Sequence, residues 1–434
     1  MAVKLRVIGQ PVHLHQHKLL MMNQYNSNKL LSVSYSIVCL LIVLTSCKAQ
    51  EEKNLVQKFG DLENVKIYSL AKNIDSVLLK KEMSFGDTDN VFYSSLGEFT
   101  VDDSGRVYIS DAGWGSRSLH VYHQDGTYLG AIAGEGRGPA EFQNLSSLEY
   151  NSGRLLFYDS QLQRIMLYST KTLEPNKTVL LDPQKWKAIQ DISGKGAHEF
   201  YLESDDGIIA AFQESPTPVN AGKRTRSYYR LNSELEIISE KLKELKAKRF
   251  IHSNSNVEVG NTQVRFMKHF PFFERHFFIP ASNGQFYTVE SSDFLVRKYD
   301  RQGNYLRAFY YPVQSPKVVR EDAVRSANDL VESIADNVDF PESWPVINHI
   351  FLDDENRFWV STIMESDEYF QWWVLDEAGQ LLGKFKWPGD KYQDPASLEN
   401  HVIVKDGYFY QRKKSEDDGT VSVIQYKIQF EEFQ

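Results

Sequence analysis

His269 and His276 have the residue type and spacing that could bind a metal ion. They lie seven positions apart in a phenylalanine-rich stretch, and Glu274 lies between them. Imidazole nitrogens and carboxylate oxygens are zinc ligands, so these three side chains could form a zinc site. No further ligand follows at a spacing typical of zinc sites, and histidines beside aromatic residues more often have a structural role. We therefore favour structural roles for both histidines, and we predict neither a metal ion nor a cofactor.

A loop around Trp114 could bind a ligand by stacking. Gly113 and Gly115 flank this tryptophan, and Arg117 follows closely. An exposed indole beside a guanidinium can stack on a sugar or a peptide and hydrogen-bond to it. Equally, the indole could fold back over its own part of the protein. The sequence does not favour one alternative over the other.

The segment Gly134–Gly138 is rich in glycine and contains Arg137. It lies between two predicted strands, whereas a phosphate-binding loop presents its amides at the start of a helix. We therefore predict a connecting loop here. Asp111, Asp159 and Arg164 lie in predicted turns, where they could line a ligand-binding face. We favour a structural role for them, because carboxylates in turns commonly accept hydrogen bonds from backbone amides.

Composition and motifs exclude several classes of protein. Among 434 residues, 49 are Lys or Arg and 58 are Asp or Glu, which gives a net charge of −9 without a basic block. This argues against general nucleic-acid binding. Both cysteines, Cys39 and Cys47, precede residue 48, so the remaining chain has no disulfide, thiolate metal site or cysteine nucleophile. The sequence also has no GxSxG, HExxH or P-loop motif.

The N-terminal segment is predicted to direct export rather than to fold. Residues 30–44 form a mostly apolar run behind Lys29, which is short for a transmembrane helix and typical of a signal peptide. The residues Leu44-Thr45-Ser46-Cys47 end this run and resemble the lipobox of bacterial lipoproteins. That resemblance implies acylation of Cys47. A plain transmembrane anchor is the less favoured alternative.

The predicted division of the chain follows from this segment. We expect a signal peptide over residues 1–46, a lipid-anchored linker over 47–64 and a folded body over 65–434. Translation starting at Met21 or Met22 would suit a signal peptide better than the full N-terminus does. The histidine tract at residues 13–17 would then be absent from the protein.

The body repeats a turn followed by an aromatic strand six times. The copies are Ser104–Ile109, Ser152–Tyr158, Gly196–Leu202, Asn283–Tyr287, Glu355–Val360 and Asp406–Tyr410. A second hairpin follows each copy, most clearly at residues 119–132, 296–309 and 372–385. One unit therefore has four antiparallel strands, and the fold class is an all-β propeller of six four-stranded blades.

Three features depart from the simple repeat. The last unit has only three strands, so we expect Val65–Leu70 to pair with it near Tyr426–Phe430 and to close the ring. Apolar residues at helical spacing predict a helix over residues 317–336, inserted between blades 4 and 5. The segment 235–245 fits either a helix or the outer strand of blade 3, and the sequence leaves both open.

A family resemblance follows from these motifs. Gly134–Phe142 resembles the glycine-rich link of NHL-like propellers, Val101–Asp111 resembles their inner hairpin, and Tyr158–Ile165 resembles the turn that follows it. The chain is similar over about residues 97–430 to six-bladed propeller lipoproteins of gut-type Gram-negative bacteria, most clearly in blades 1 and 2. The resemblance implies an outer-membrane lipoprotein that faces the periplasm or the cell surface.

The expected function is a ligand-binding or protein-interaction module, with the membrane as partner through the lipid anchor. We expect a protein, peptide or carbohydrate ligand and no nucleic acid. The helix over 317–336 is expected to cover one channel mouth, because function often resides on loops held by a rigid scaffold. The candidate ligand-binding residues are Trp114, Arg117, Arg137, Arg320 and Arg325. The alternative is an enzyme of the lactone hydrolase or lyase type, with its site in the central channel.

Overall fold

The computed structural model describes Phe59 and residues 62–431, apart from 71–73, 87–90, 92, 94, 114, 116, 218, 253–256, 260, 261, 265, 266, 326–338, 393–401 and 415–419. Within these residues the protein is an all-β ring of six blades, as predicted. Two N-terminal strands, β1 (Val65–Ile67) and β2 (Ser76–Phe85), precede the first blade.

The first two blades are regular. Blade 1 contains β3 (Leu96–Val101), β4 (Val107–Asp111), β5 (Ser118–Tyr122), β6 (Tyr128–Glu135) and the short β7 (Glu141–Phe142). Blade 2 contains β8 (Leu145–Asn151), β9 (Arg154–Asp159), β10 (Arg164–Ser169) and β11 (Glu174–Leu180). Gly105 and Gly153 have φ values of +75° and +78° at the turns into β4 and β9, which is the conformation that the turn motif predicted.

Blade 3 follows two short 3-10 helices, Pro183–Trp186 and Gln190–Ile192. It contains β12 (Gly196–Leu202), β13 (Ile208–Gln213), β14 (Thr225–Leu231) and β15 (Lys243–Lys246). The ambiguous segment 235–245 is therefore a turn that leads into the outer strand, and Leu235 has φ +60° there. Four short strands occupy the connection to blade 4: β16 (Ile251–His252), β17 (Val257–Val259), β18 (Thr262–Val264) and β19 (Met267–Lys268).

The last three blades complete the ring. Blade 4 contains β20 (His276–Pro280), β21 (Phe286–Glu290), β22 (Phe294–Tyr299) and β23 (Tyr305–Tyr311). Blade 5 contains β24 (Ile347–Leu352), β25 (Phe358–Thr362), β26 (Tyr369–Leu375) and β27 (Leu381–Pro388). Blade 6 contains β28 (Val402–Lys405), β29 (Tyr408–Lys414) and β30 (Val421–Glu431), with β2 as its fourth strand.

An N-terminal strand closes the ring, but the prediction that this strand is Val65–Leu70 is wrong. Ser76–Phe85 pairs antiparallel with β30, and Val77 lies opposite Phe430. Val65–Ile67 instead pairs in parallel with β23, at the outer edge of blade 4. There is a physical reason why β2 and not β1 closes the ring. The long β2 buries Val77 and Phe85 between neighbouring blades, whereas the three residues of β1 cover only a sheet edge.

Antiparallel order determines which loops share a face. The inner strands β3, β8, β12, β20, β24 and β28 all begin at the same end of the channel, which we call the upper end. Because each blade alternates direction, the connections between blades and the loops between second and third strands also lie at this end. The insertion between blades 4 and 5, the glycine-rich loop 134–138 and the loop that precedes Arg117 therefore share the upper face.

The insertion between blades 4 and 5 contains a short helix, α1 (Arg320–Arg325). Residues 326–336 of the predicted helix lie outside the described residues, so a helix over 317–336 is not supported. Among the described residues, no helix is long and apolar enough to cross a membrane. The apolar run 30–44, Cys47 and the histidine tract at 13–17 lie outside the described part of the chain.

Candidate functional site

A central cavity of about 620 Å³ runs between the inner strands of all six blades. Its size falls within the range of sites that enclose small ligands. Side chains from every inner strand line it, so residues far apart in the sequence meet on one rigid wall.

Bulges near the upper end distort four of the six inner strands. The pairing register shifts between Leu96 and Phe99 in β3, and between Ala197 and Glu199 in β12. Equivalent shifts occur near the start of β8 and of β24. A bulge bends the strand and redirects a side chain, and bulges are frequent next to functional sites. The extra residue of β12 is His198, whose side chain is exposed to the cavity.

Three glutamates from blades 1, 2 and 3 line the cavity: Glu98, Glu149 and Glu199. Glu199 pairs with Arg226 and accepts a hydrogen bond of 3.0 Å from the Tyr201 hydroxyl. Burial, together with the negative charges of Glu98 and Glu199, raises the pKa of Glu149 to about 8. The Glu149 carboxyl is therefore mostly protonated at neutral pH and can donate a hydrogen bond.

Cationic side chains line the cavity where blades 3 and 4 meet. Arg226 reaches from β14 to the neighbouring blade and donates to the His276 carbonyl at 2.6 Å. Arg275 is almost fully buried and donates to Asn348 Oδ1 at 3.3 Å. Burial lowers the pKa of His198; Glu199 opposes the shift, and the charges of Arg226 and Lys248 add to it. His198 is therefore predominantly neutral at physiological pH.

The two histidines considered for zinc make different contacts. His269 is buried among Phe250 and Phe273, and its Nδ1 lies 2.8 Å from the Arg249 carbonyl oxygen. His276 Nε2 lies 3.2 Å from Glu274 Oε2. The hydrogen bond with His276, and further contacts with Ser292 and Lys246, lower the pKa of Glu274 to about 2. No group of three or more His, Cys, Asp or Glu side chains among the described residues could hold a metal ion.

The sequence-predicted turn residues hold the loops of the upper face. The Asp159 carboxylate accepts hydrogen bonds from four backbone amides, those of Gln143, Asn144, Gln161 and Leu162. Asp111 accepts hydrogen bonds from the amides of Ser95 and Gly113. The buried Arg164 donates to carbonyl oxygens of Arg137, Gly138 and Glu141. These contacts fix the glycine-rich segment as an interblade loop, in agreement with the sequence-based interpretation.

The structure does not bring the four described candidate arginines into one site. Trp114 lies outside the described residues. Arg117 pairs with Glu135 of its own blade at 3.1 Å, and Arg137 is exposed on the loop after blade 1. Arg320 and Arg325 lie in the insertion between blades 4 and 5, across the ring from blade 1. None of these four described arginines lines the channel cavity.

The helix α1 packs on blade 5. Asp322 accepts hydrogen bonds from the Trp344 indole at 3.1 Å and the Tyr392 hydroxyl at 3.0 Å. Arg325 pairs with Asp367 at 2.8 Å, in the loop between the second and third strands of that blade. The described part of the insertion therefore does not support the prediction that it covers the channel mouth.

No sequence motif pointed to the charged and titratable residues that line the channel: Glu98, Glu149, His198, Glu199, Arg226, Lys248 and Arg275. One signal was present, because charged residues stand in inner strands that otherwise carry few charges. Glu149 is such a residue in the stretch Leu145–Tyr150 of blade 2. Their convergence depends on closure of the ring, which no local pattern shows.

Six four-stranded blades around a polar channel define a six-bladed β-propeller. The chain belongs to the family DUF5128, described as 6-bladed beta-propeller, which matches residues 46–303. No curated protein matches the sequence.

Two solved structures match the chain at low identity. One is a member of the DUF4221 family from Bacteroides vulgatus ATCC 8482, with 12% identity, a TM-score of 0.49, and 82% of this chain and 99% of that chain covered. The other is a putative exported protein from Bacteroides fragilis NCTC 9343, with 10% identity, a TM-score of 0.46, and 84% of this chain and 100% of that chain covered.

Proposed function

We propose that this protein is a lipid-anchored envelope propeller that binds a small polar ligand in the upper half of its channel. The observation that carries the proposal is the cavity of about 620 Å³ into which charged and titratable side chains of several blades converge. A purely structural channel would be filled by apolar side chains, because burying polar groups without partners costs free energy.

Two channel residues support a ligand-binding site in particular. Glu149 and His198 both line the cavity, and within the part of the chain that the structure describes neither side chain has a hydrogen-bond partner. Burial and neighbouring charges raise the pKa of Glu149 and lower the pKa of His198. Such groups in a concave site are candidates for contacts with a ligand.

The upper face would contribute contacts for a larger partner. Arg117 and Arg137 lie at one side of the upper mouth, while Arg320 and Arg325 belong to the insertion at the opposite side; Trp114, which lies outside the described residues, remains a candidate contact on its sequence alone. A protein, peptide or carbohydrate that spans the mouth could contact both groups. In this proposal the channel recognises the end of the ligand, and the loops recognise the rest of it.

The cellular location is part of the proposal. The apolar run 30–44 and the motif that ends in Cys47 support export and lipidation. Lys48, rather than an aspartate, follows Cys47, which favours the outer membrane. The acidic pair Glu51-Glu52 resembles a surface-export signal of such lipoproteins. The periplasmic leaflet and the cell surface both stay open, and protease treatment of whole cells distinguishes them.

The test is a thermal-shift screen of the detergent-solubilised mature protein against sugars, uronic acids and short peptides. Hits are then repeated on two matched variants, His198→Ala in the channel and His123→Ala on an exposed turn of blade 1. A stabilisation lost only in His198→Ala supports the channel site. Equal stabilisation of both variants contradicts it and points to the outer loops.

The enzyme alternative has its own measurement. Lactone hydrolases of this shape require a divalent metal ion in the channel, and the metal content of the purified protein reports on it directly. Calcium or zinc that stays at one equivalent through dialysis would favour the enzyme over the binding module.

A further inference from the structure

We propose that the channel binds an uncharged sugar, which places hydroxyl groups against Glu149 and His198 and its apolar C–H face against Phe351. The inference rests on the proposed channel site and names the chemical class of its ligand. The channel has a polar wall and an apolar wall on opposite sides of the ring, and these two walls carry the inference.

The strand register places one residue of every inner strand at the same depth of the channel. Each of these residues pairs with the equivalent position of its own second strand, as Glu149 pairs with Leu156 in blade 2. In the order of the blades, the six residues are Thr100, Glu149, Tyr201, Ile279, Phe351 and Ile403. All six line the cavity. Blades 1 to 3 therefore contribute polar side chains to this layer, and blades 4 to 6 contribute apolar ones.

The next layer towards the upper end repeats this division. Two positions earlier in the inner strands, blade 3 has Glu199, whereas blade 4 has Phe277 and blade 5 has His349. The His349 ring lies 6.2 Å from the Phe277 ring and 5.5 Å from the Phe351 ring, between centroids. An aromatic row therefore runs along blades 4 and 5. Because blades 2 and 5 are three apart in a ring of six, Glu149 and Phe351 lie on opposite walls.

The charged side chains in the upper half of the cavity already have interaction partners within the protein. They are Glu98, Glu199, Arg226, Lys248 and Arg275. An ionic ligand would lose its hydration in the channel and would have to compete with these existing contacts for a counter-charge. An uncharged ligand avoids this cost, so the channel favours it.

Glu149 and His198 differ from these charged residues, because among the described residues neither side chain has a hydrogen-bond partner. They lie on the neighbouring inner strands β8 and β12, and the bulge in β12 keeps His198 accessible from the cavity. Burial, with the charges of Glu98 and Glu199, raises the pKa of Glu149 to about 8. Burial lowers the pKa of His198. At pH 7 the pair is therefore predominantly an uncharged carboxyl, which donates a hydrogen bond, and a neutral imidazole, which also accepts one.

A hydroxyl group suits this pair because it accepts and donates at the same time. It can accept from the Glu149 carboxyl and donate to the unprotonated nitrogen of His198, whereas a carboxylate only accepts and an ammonium group only donates. A sugar ring carries several hydroxyl groups at its edge and C–H groups on its face. Its edge therefore matches the polar wall, and its face matches the aromatic side chain of Phe351.

Titration calorimetry of the detergent-solubilised mature protein at pH 7 tests the ligand class. The probes are glucose, galactose and mannose, each with its uronate and its 2-amino analogue, and one uncharged capped dipeptide, acetyl-alanyl-alanine amide. We expect at least one of the three neutral sugars to bind. Its anionic uronate and its cationic amino analogue should bind severalfold more weakly, because each brings a charge into the channel.

Variants of the two walls test the location. Glu149→Leu and His198→Ala should each weaken sugar binding about threefold to tenfold, which is the effect of losing one hydrogen bond. Glu149→Gln keeps a hydrogen-bond donor, and His123→Ala changes an exposed turn of blade 1, so both should bind the sugar as the natural protein does. Phe351→Leu should weaken binding severalfold through the loss of the aromatic surface. Circular dichroism and thermal unfolding confirm that each variant is folded.

The possible outcomes separate the ligand class from the channel site. A uronate or the dipeptide binding more tightly than every neutral sugar, in a manner lost in His198→Ala, would overturn the sugar and leave the channel site standing. Sugar binding unaffected by Glu149→Leu, His198→Ala and Phe351→Leu would overturn the channel site as well. Failure of all three neutral sugars to bind at millimolar concentration would overturn the sugar, and the thermal-shift screen would then decide on the channel site by itself.

Discussion

Replacing Phe85 with alanine should destabilise the ring at the junction where it closes. Phe85 ends β2, is fully buried, and packs against Tyr122 of blade 1 and Tyr410 of blade 6, with ring centroids 6.1 Å and 6.4 Å away. The same apolar cluster contains Tyr93 and Val423, so it joins the first blade to the last. Removal of the phenyl group leaves a cavity between the first and the last blade of the propeller.

The magnitude follows from the burial. Truncation of a buried phenylalanine costs about 3–5 kcal/mol of unfolding free energy, which includes the lost transfer energy and the cavity left behind. The matched control is Leu78→Ala on the same strand, because Leu78 is 45% exposed. A substitution at an exposed position changes the free energy of unfolding by no more than about 0.5 kcal/mol.

Urea denaturation followed by tryptophan fluorescence measures both variants. We expect the unfolding midpoint of Phe85→Ala to fall well below that of the natural protein, and that of Leu78→Ala to stay close to it. Equal midpoints for the two variants would refute closure of the ring through β2.

Three further predictions test other parts of the molecule. Cys47→Ala should abolish labelling with palmitate and leave unprocessed precursor; labelling that persists would contradict the lipobox. Asp353→Ala should cost about 3–5 kcal/mol, because the buried carboxylate accepts hydrogen bonds from Arg357 and from the Trp359 indole, whereas Glu355→Ala on the exposed part of the same turn should cost little. The stability of Glu149→Gln relative to that of the natural protein should increase as pH rises from 4.5 towards 8. The natural protein loses stability in this range, because its folded state keeps the Glu149 proton that its unfolded state releases. The gain is at most about 1.4 kcal/mol per pH unit and levels off above pH 8, and denaturation at several pH values measures it; a constant difference would contradict the raised pKa.

The repeat could be predicted from the sequence because each blade carries its own local signals. A glycine or an asparagine with positive φ precedes an aromatic second strand in five of the six blades, and the middle strands are buried on both faces, as in Val107–Asp111. In blade 3 the prediction is wrong, because Gly196–Leu202 is the inner strand β12 and the second strand β13 lacks the aromatic run. These signals fix the strands and the number of blades without any long-range information.

The closing strand could not be identified in this way. β2 has the sequence SVLLKKEMSF, in which lysines interrupt the apolar pattern, and a bulge between Lys81 and Met83 shifts its alternation by one residue. Val65–Leu70 has the more apparent strand pattern, but it pairs with blade 4 over only three residues. Edge and outer strands are specified by their partners as much as by their own sequence.

The candidate site was hidden for a related reason. Glu98, Glu149 and Glu199 are each about fifty residues from the next, and only the closed ring brings them to one channel. The bulge that exposes His198 to the cavity has no signature in the sequence around it. Local patterns instead favoured Trp114, which lies outside the described residues, and four arginines of the upper loops, which do not line the cavity.

A single engineered thiol tests the central claim most directly, because residues 48–434 contain no cysteine. The alkylation rates of His198→Cys and His123→Cys by iodoacetamide are measured with and without a ligand found in the thermal-shift screen. The account predicts that a ligand found in the thermal-shift screen suppresses the alkylation at position 198, which lines the channel, and leaves the rate at position 123 unchanged. Equal suppression at both positions, or suppression at neither, would contradict a ligand-binding channel.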